Sequence, residues 1–100
     1  MKHSLSVNGN QATVIVNGKI YAHDAGILRD DVLDAIEKGI KFIRMNLVDT
    51  TYIDSSGLGV LVTIHKLSKE KEGGLVLTGV QGMVAELLRR TRLDRTLSIE

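Results

Sequence analysis

Ile53-Asp54-Ser55-Ser56-Gly57-Leu58-Gly59-Val60 is the stretch on which the architecture turns. A strand region precedes it and apolar residues at helical spacing follow, so it reads as a turn that opens a helix. Asp54 or Ser55 can cap that helix by accepting from its first amides. Gly57 and Gly59 leave out side chains, which lets a backbone or a nucleotide phosphate approach. The helix is expected from about Ser56 to Glu70, stopped by Gly73-Gly74. Its first half, Leu58, Val60, Leu61, Val62 and Ile64, is apolar nearly all round, while Lys66, Lys69, Glu70 and Lys71 make the rest charged. With Leu58, Leu61, Val62 and His65 on a sheet, Val60 and Ile64 are expected to form an exposed apolar strip suited to a partner unless neighbours cover it.

Upstream, Leu5 and Val7, then Ala12, Val14 and Val16, alternate with polar residues around Asn8-Gly9-Asn10, the pattern of a β-hairpin. Asn17-Gly18 ends the second strand or marks a bulge in it. From Asp24 to Lys38 the period becomes helical, with Leu28, Val32, Ala35 and Ile36 on one side, Asp24 as expected N-cap and Gly39 as stop. Phe42, Ile43, Met45, Leu47 and Val48 suit a buried central strand reached by a right-handed parallel crossover. Asp49 to Tyr52 reads as a polar link. Downstream, Leu75-Val76-Leu77 suits a third buried strand. Met83 to Arg90 suits a helix with Val84, Leu87 and Leu88 inward, and Leu97 and Ile99 a final edge strand. The order ββαβαβαβ predicts an α/β fold: a mixed sheet of four to five strands with helices packed mainly on one face.

One hundred residues suit one domain spanning 1–100. A formal net charge of +1 gives no field that favours nucleic acid or anionic lipid. The absence of cysteine excludes disulfide and thiol chemistry. No apolar run is long enough to span a bilayer, and the N-terminus lacks the apolar block of a signal peptide, so a cytoplasmic location is expected.

The turn at 54–59 has two physical readings. Asp-Ser-Ser-Gly is an ordinary helix start. It is also a place where a phosphate on Ser55 would sit at an electropositive helix N-terminus beside Asp54, adding about −1.5 to −2 charges. Such a charge converts a nearly neutral patch into a hydrated anionic one and disfavours protein contact there.

Ile53-Asp54-Ser55-Ser56-Gly57-Leu58-Gly59-Val60 resembles the signature of the anti-sigma factor antagonists, which are STAS-domain proteins. Met45-Asn46-Leu47 resembles the strand before that signature, and Leu87-Leu88, Leu93-Asp94 and Leu97-Ser98-Ile99 resemble the family's last helix and strand. The resemblance covers essentially the whole chain and implies a STAS-like fold and partner switching. It implies phosphorylation of Ser55 by an anti-sigma factor that is a serine kinase of the histidine-kinase-like ATPase fold, reversal by a PP2C-type serine phosphatase, and binding of the kinase by the unphosphorylated form. Asp54, Ser56, Gly57, Leu58, Gly59 and Val60 map to the recognition turn and the helix it opens. The chain departs from the family after Gly18, where an acidic residue is common: Lys19-Ile20-Tyr21 stand there, and either Asp24 takes the acid's place through a shifted helix start or the contact is absent. The short C-terminal helix of many members is expected to be reduced or missing.

Other readings compete. A STAS module could sense a small ligand or nucleotide, with Gly57 and Gly59 cradling phosphate. An enzyme lacks support: Ser55 has no Gly-x-Ser-x-Gly elbow and no evident base. His3, His23 and His65 fall on separate elements, so neither a metal nor another cofactor is expected. Arg89-Arg90-Thr91-Arg92 reads as a solvated helix end. Phosphopantetheine carriers are acidic helical bundles, unlike these alternating strands. No nucleic-acid or membrane partner is expected, and the state is expected to be monomeric or weakly dimeric.

Overall fold

The N-terminal alternation closes as a hairpin. In the computed structural model, which describes residues 1–100, β1 (Lys2–Asn8) pairs antiparallel with β2 (Gln11–Ile20), Leu5 opposite Val14 and Asn8 opposite Gln11. Gly9 takes the first position of the two-residue loop at φ +66°, a conformation open to glycine at little cost.

β2 then serves two partners. Gln11 to Ile15 pair in parallel with β3 (Phe42–Asn46). At Gly18, where φ is +93°, the register shifts, and Gly18 to Ile20 continue in parallel with β4 (Thr50–Ile53). Of the two expected roles for Asn17-Gly18, the bulge is the one found. β4 lies in the segment expected to be a polar link. Its polarity is accommodated because the hydroxyl of Thr50, a residue only 3% exposed, donates to the Val16 carbonyl at 2.7 Å. The Gly18 amide also donates to the Asp49 carbonyl at 2.9 Å. With β5 (Gly74–Thr78) and β6 (Ser98–Ile99), the sheet has six strands, one more than the upper expectation, in the order β1-β2-β3-β5-β6 with β4 on β2.

Alternate residues of these strands share one side. Ala12, Val14, Val16, Ile43, Met45, Leu75 and Leu77 are buried in a single core with the inward stripes of α1 (Ala22–Glu37), α2 (Ser55–Glu70) and α3 (Gly82–Arg90). The stripe of α1 is the expected one, Leu28, Val32, Ala35 and Ile36, extended by Ala25. α1 and α2 lie against each other, and α3 packs beside β4. A short 3-10 turn, Leu93–Arg95, leads into β6. The open side of the sheet explains one departure: Phe42 and Val48 are exposed, so β3 is central but buried on one face only.

The helix ends differ. After α1, Gly39 adopts φ +108° while its amide reaches Ile36 O and that of Ile40 reaches Ala35 O, both at 3.1 Å. After α2 the same motif places Glu72, not glycine, in the left-handed region at φ +64°. Gly73 is needed for a different reason: a Cβ there would collide with the Lys41 carbonyl. No helix is long and apolar enough to cross a membrane.

Candidate functional site

β2 and β4 run in parallel and finish side by side, with Ile20 opposite Ile53. The Asp54 amide then donates to the Ile20 carbonyl at 3.1 Å. Two helices therefore start next to each other, α1 at Ala22 and α2 at Ser55, from the same end of the paired strands. Each N-terminus contributes partial positive charge, so this end favours anions before any side chain is counted.

Asp54 is the cap of α2. Its carboxylate accepts from the Gly57 amide at 3.0 Å, and its carbonyl accepts from Leu58 at 3.0 Å. Capping by Asp54 leaves the Ser55 hydroxyl free of that duty. Ser55 is the first residue of α2, one position earlier than expected, and is exposed, as are Ser56 and Gly59.

Gly57, Leu58 and Val60 point the other way. Gly57 is buried, and a Cβ on it would lie 2.9 Å from Ile53 Cδ1 and 3.1 Å from Ile20 Cγ2, and closer still to Ile53 Cγ1. The space its missing side chain leaves is thus filled by the chain itself, not open as half of a phosphate cradle. The expected exposed strip is absent: Val60 is 8% exposed and Ile64 is fully buried. Val62 and His65, expected on the sheet side, are only half-buried, whereas Leu58 and Leu61 are buried as expected. The reason is lateral packing. With α1 beside it, α2 buries a flank as well as its underside, so its broad apolar surface is consumed internally.

Asp24 is not a cap. α1 starts two residues earlier, with Tyr21 at the N-cap position and no side-chain capping bond. Asp24 sits in the first turn, where a carboxylate suits the helix dipole, and its Oδ2 lies 3.8 Å from the Met1 amino nitrogen. At the far end of the chain, Arg89, Arg90, Thr91 and Arg92 are exposed, with Arg90 2.9 Å from Glu86, a solvated helix end as expected.

The strand ends also bring two aromatic rings together. The rings of Tyr21 and Tyr52 meet with centroids 5.8 Å apart and planes tilted by 45°. Tyr21 is the N-cap of α1 and Tyr52 lies within β4, two residues before the Asp54 cap of α2, so the pairing depends on β4 and no local pattern announces it.

Residues 4–100 match the STAS domain family. The chain is 33% identical over 92 residues to the anti-sigma-B factor antagonist of Bacillus subtilis, covering 92% of this chain and 84% of that protein. It is 29% identical over 87 residues to the anti-sigma F factor antagonist of Paenibacillus polymyxa, covering 86% of this chain and 74% of that one. A Thermotoga maritima structure, described as a candidate anti-sigma factor antagonist, superposes with TM-score 0.88 at 28% identity, covering 96% of this chain and 83% of that chain. The chain belongs to the STAS-domain family.

Proposed function

We propose that this STAS-domain chain is an anti-sigma factor antagonist in a partner-switching pathway, with Ser55 as its switch. The unphosphorylated form binds a serine-kinase anti-sigma factor of the histidine-kinase-like ATPase fold and so releases that kinase's target. Phosphorylation of Ser55 ends the binding, and a PP2C-type serine phosphatase restores it. The chain itself is a non-enzymatic, cytoplasmic binding protein, monomeric or weakly dimeric. The names of its relatives support the role, and the exposed position of Ser55 at the start of a capped helix is the observation that carries the assignment.

The charge arithmetic favours a switch in binding over a switch in folding. In the free protein, a phosphate at Ser55 meets repulsion from Asp54 of about 1 kcal/mol per pair of unit charges at contact distance in water. Attraction to the helix N-terminus returns about 0.3–1 kcal/mol. With a charge of about −1.5 to −2 on the phosphate, about 1 kcal/mol of net repulsion remains, small beside the stability of a domain, so the fold is retained. Enclosing the same phosphate unpaired in an interface costs several kcal/mol, whereas about 1.4 kcal/mol already changes affinity tenfold.

The assignment is tested by incubating the purified chain with ATP and each such kinase from the genome of origin, followed by mass spectrometry. One phosphoryl group moves from ATP to Ser55 Oγ, the serine proton is lost and ADP leaves. The expected product carries a single phosphate on Ser55, and S55A carries none. Phosphate at another residue, or S55A modified like the wild type, would refute the assignment.

A further inference from the structure

The chain holds one phenylalanine, two tyrosines and no tryptophan, and both tyrosines meet at the paired ends of β2 and β4 from which α1 and α2 start. Tyr21 is 48% exposed although it is a large, partly apolar side chain. Nothing in the hydrophobic core requires it there, since it is neither buried nor packed among the core residues. Its position is fixed from two directions. The preceding carbonyl, that of Ile20, holds the Asp54 amide, and the ring leans on Tyr52, which stands opposite Lys19 in β4. The aromatic pair and the serine are therefore borne on the same two strand ends.

Resting on the proposed function, we infer that the Tyr21–Tyr52 pair is the apolar anchor of the kinase-binding surface, and that the kinase covers it with an uncharged apolar side chain. Rigid aromatic rings with a half-exposed face are the residues that dominate protein interfaces, because they bury much area at little entropic cost. The switch itself selects the chemistry of the covering group. An arginine laid over the rings would be attracted by the faces of both tyrosines and also by a phosphate at Ser55. Phosphorylation would then strengthen the complex. An uncharged apolar group offers the phosphate no partner, so its dehydration is uncompensated and the contact is lost.

The test is calorimetric titration of the kinase that modifies Ser55 with wild type, Y21A, Y52A and the Y21F/Y52F double variant. Circular dichroism and urea unfolding confirm that each variant folds. Y21A removes no backbone hydrogen bond, and the Tyr21 carbonyl still accepts from Ala25. Each alanine variant is expected to bind at least about tenfold more weakly. The double phenylalanine variant should bind within about threefold of wild type, since the rings and not the hydroxyls carry the contact. The loss on Y21A should be the same at low and high salt, as for an apolar contact. Alanine variants that bind like wild type would overturn the inference while leaving the proposed function intact. A loss that shrinks at high salt would overturn the apolar covering group in favour of a charged one. Failure of the wild-type chain to bind overturns the proposed function, and this inference with it.

Discussion

Two glycines two residues apart in α2 should respond oppositely to the same substitution. Gly57 sits over Ile53 and Ile20, which are 1% and 0% exposed and have no solvent to swing into. A new Cβ there would lie 2.9 Å from Ile53 Cδ1 and 3.1 Å from Ile20 Cγ2, so the helix start must lift or the isoleucines must leave their rotamers. Overpacking of this kind costs about 1–3 kcal/mol, and contacts on two immobile residues place it in the upper part of that range. Alanine recovers at most about 1 kcal/mol through helix propensity. The net loss for Gly57→Ala is about 1–2 kcal/mol, a fall in Tm of about 5–15 °C for a domain this size. Gly59 is exposed, and no neighbour lies within 4 Å of its would-be Cβ. Gly59→Ala should therefore stabilise by up to about 1 kcal/mol. Urea unfolding with unchanged m-values reads both. A Gly57→Ala protein as stable as wild type, or a Gly59→Ala protein destabilised to the same degree, would refute the packing described at this turn.

Asp54→Ala should lose about 1 kcal/mol by removing the bond to the Gly57 amide, whereas Asp54→Asn should keep most of it, as compared by urea midpoint. Glu72→Gly should raise stability by up to about 1 kcal/mol in the same assay, because it relieves a left-handed residue at the end of α2. Arg44 bonds Glu100 at 2.5 Å, and this bond and charge hold the Glu100 carboxyl below its ordinary value of 4.5. A lowered carboxyl stabilises above 4.5 and stops doing so as pH falls through its folded value. E100Q should thus reduce the urea midpoint slightly at neutral pH and leave it unchanged in strong acid.

Elements whose pattern is local were legible in the sequence. The hairpin announces itself through Asn-Gly and alternation, and the stripe of α1 through its spacing. Misreadings arose where the decisive partner lies elsewhere in the chain. Thr50, Thr51, Tyr52 and Ile53 are strand-favouring residue types, but the run is short and polar beside Asp49 and Asp54, and what makes it β4 is a buried hydroxyl on Val16 and the second half of β2. Val60 and Ile64 looked surplus because a helical wheel shows one helix, while their cover comes from its neighbour, α1. Asp24 carries the only capping signal near this helix start, since Tyr21 and Ala22 offer none, yet α1 begins at Ala22 without a side-chain cap. At the candidate site, the turn chemistry of Asp54 and Ser55 was visible in the residues themselves. The split between outward Ser55, Ser56 and Gly59 and inward Gly57, Leu58 and Val60 needed the strands beneath the turn.

The proposed switch rests on one difference, that between the affinities of the free and Ser55-phosphorylated forms for the same kinase. Calorimetric titration of both forms, prepared from one batch and compared in the presence of ADP, measures it. Tight binding by the free form and a loss of at least about a hundredfold on phosphorylation are expected, with S55D weakened in the same direction and S55A unimpaired. Equal affinities for the two forms, with the phosphate verified on Ser55, would contradict it.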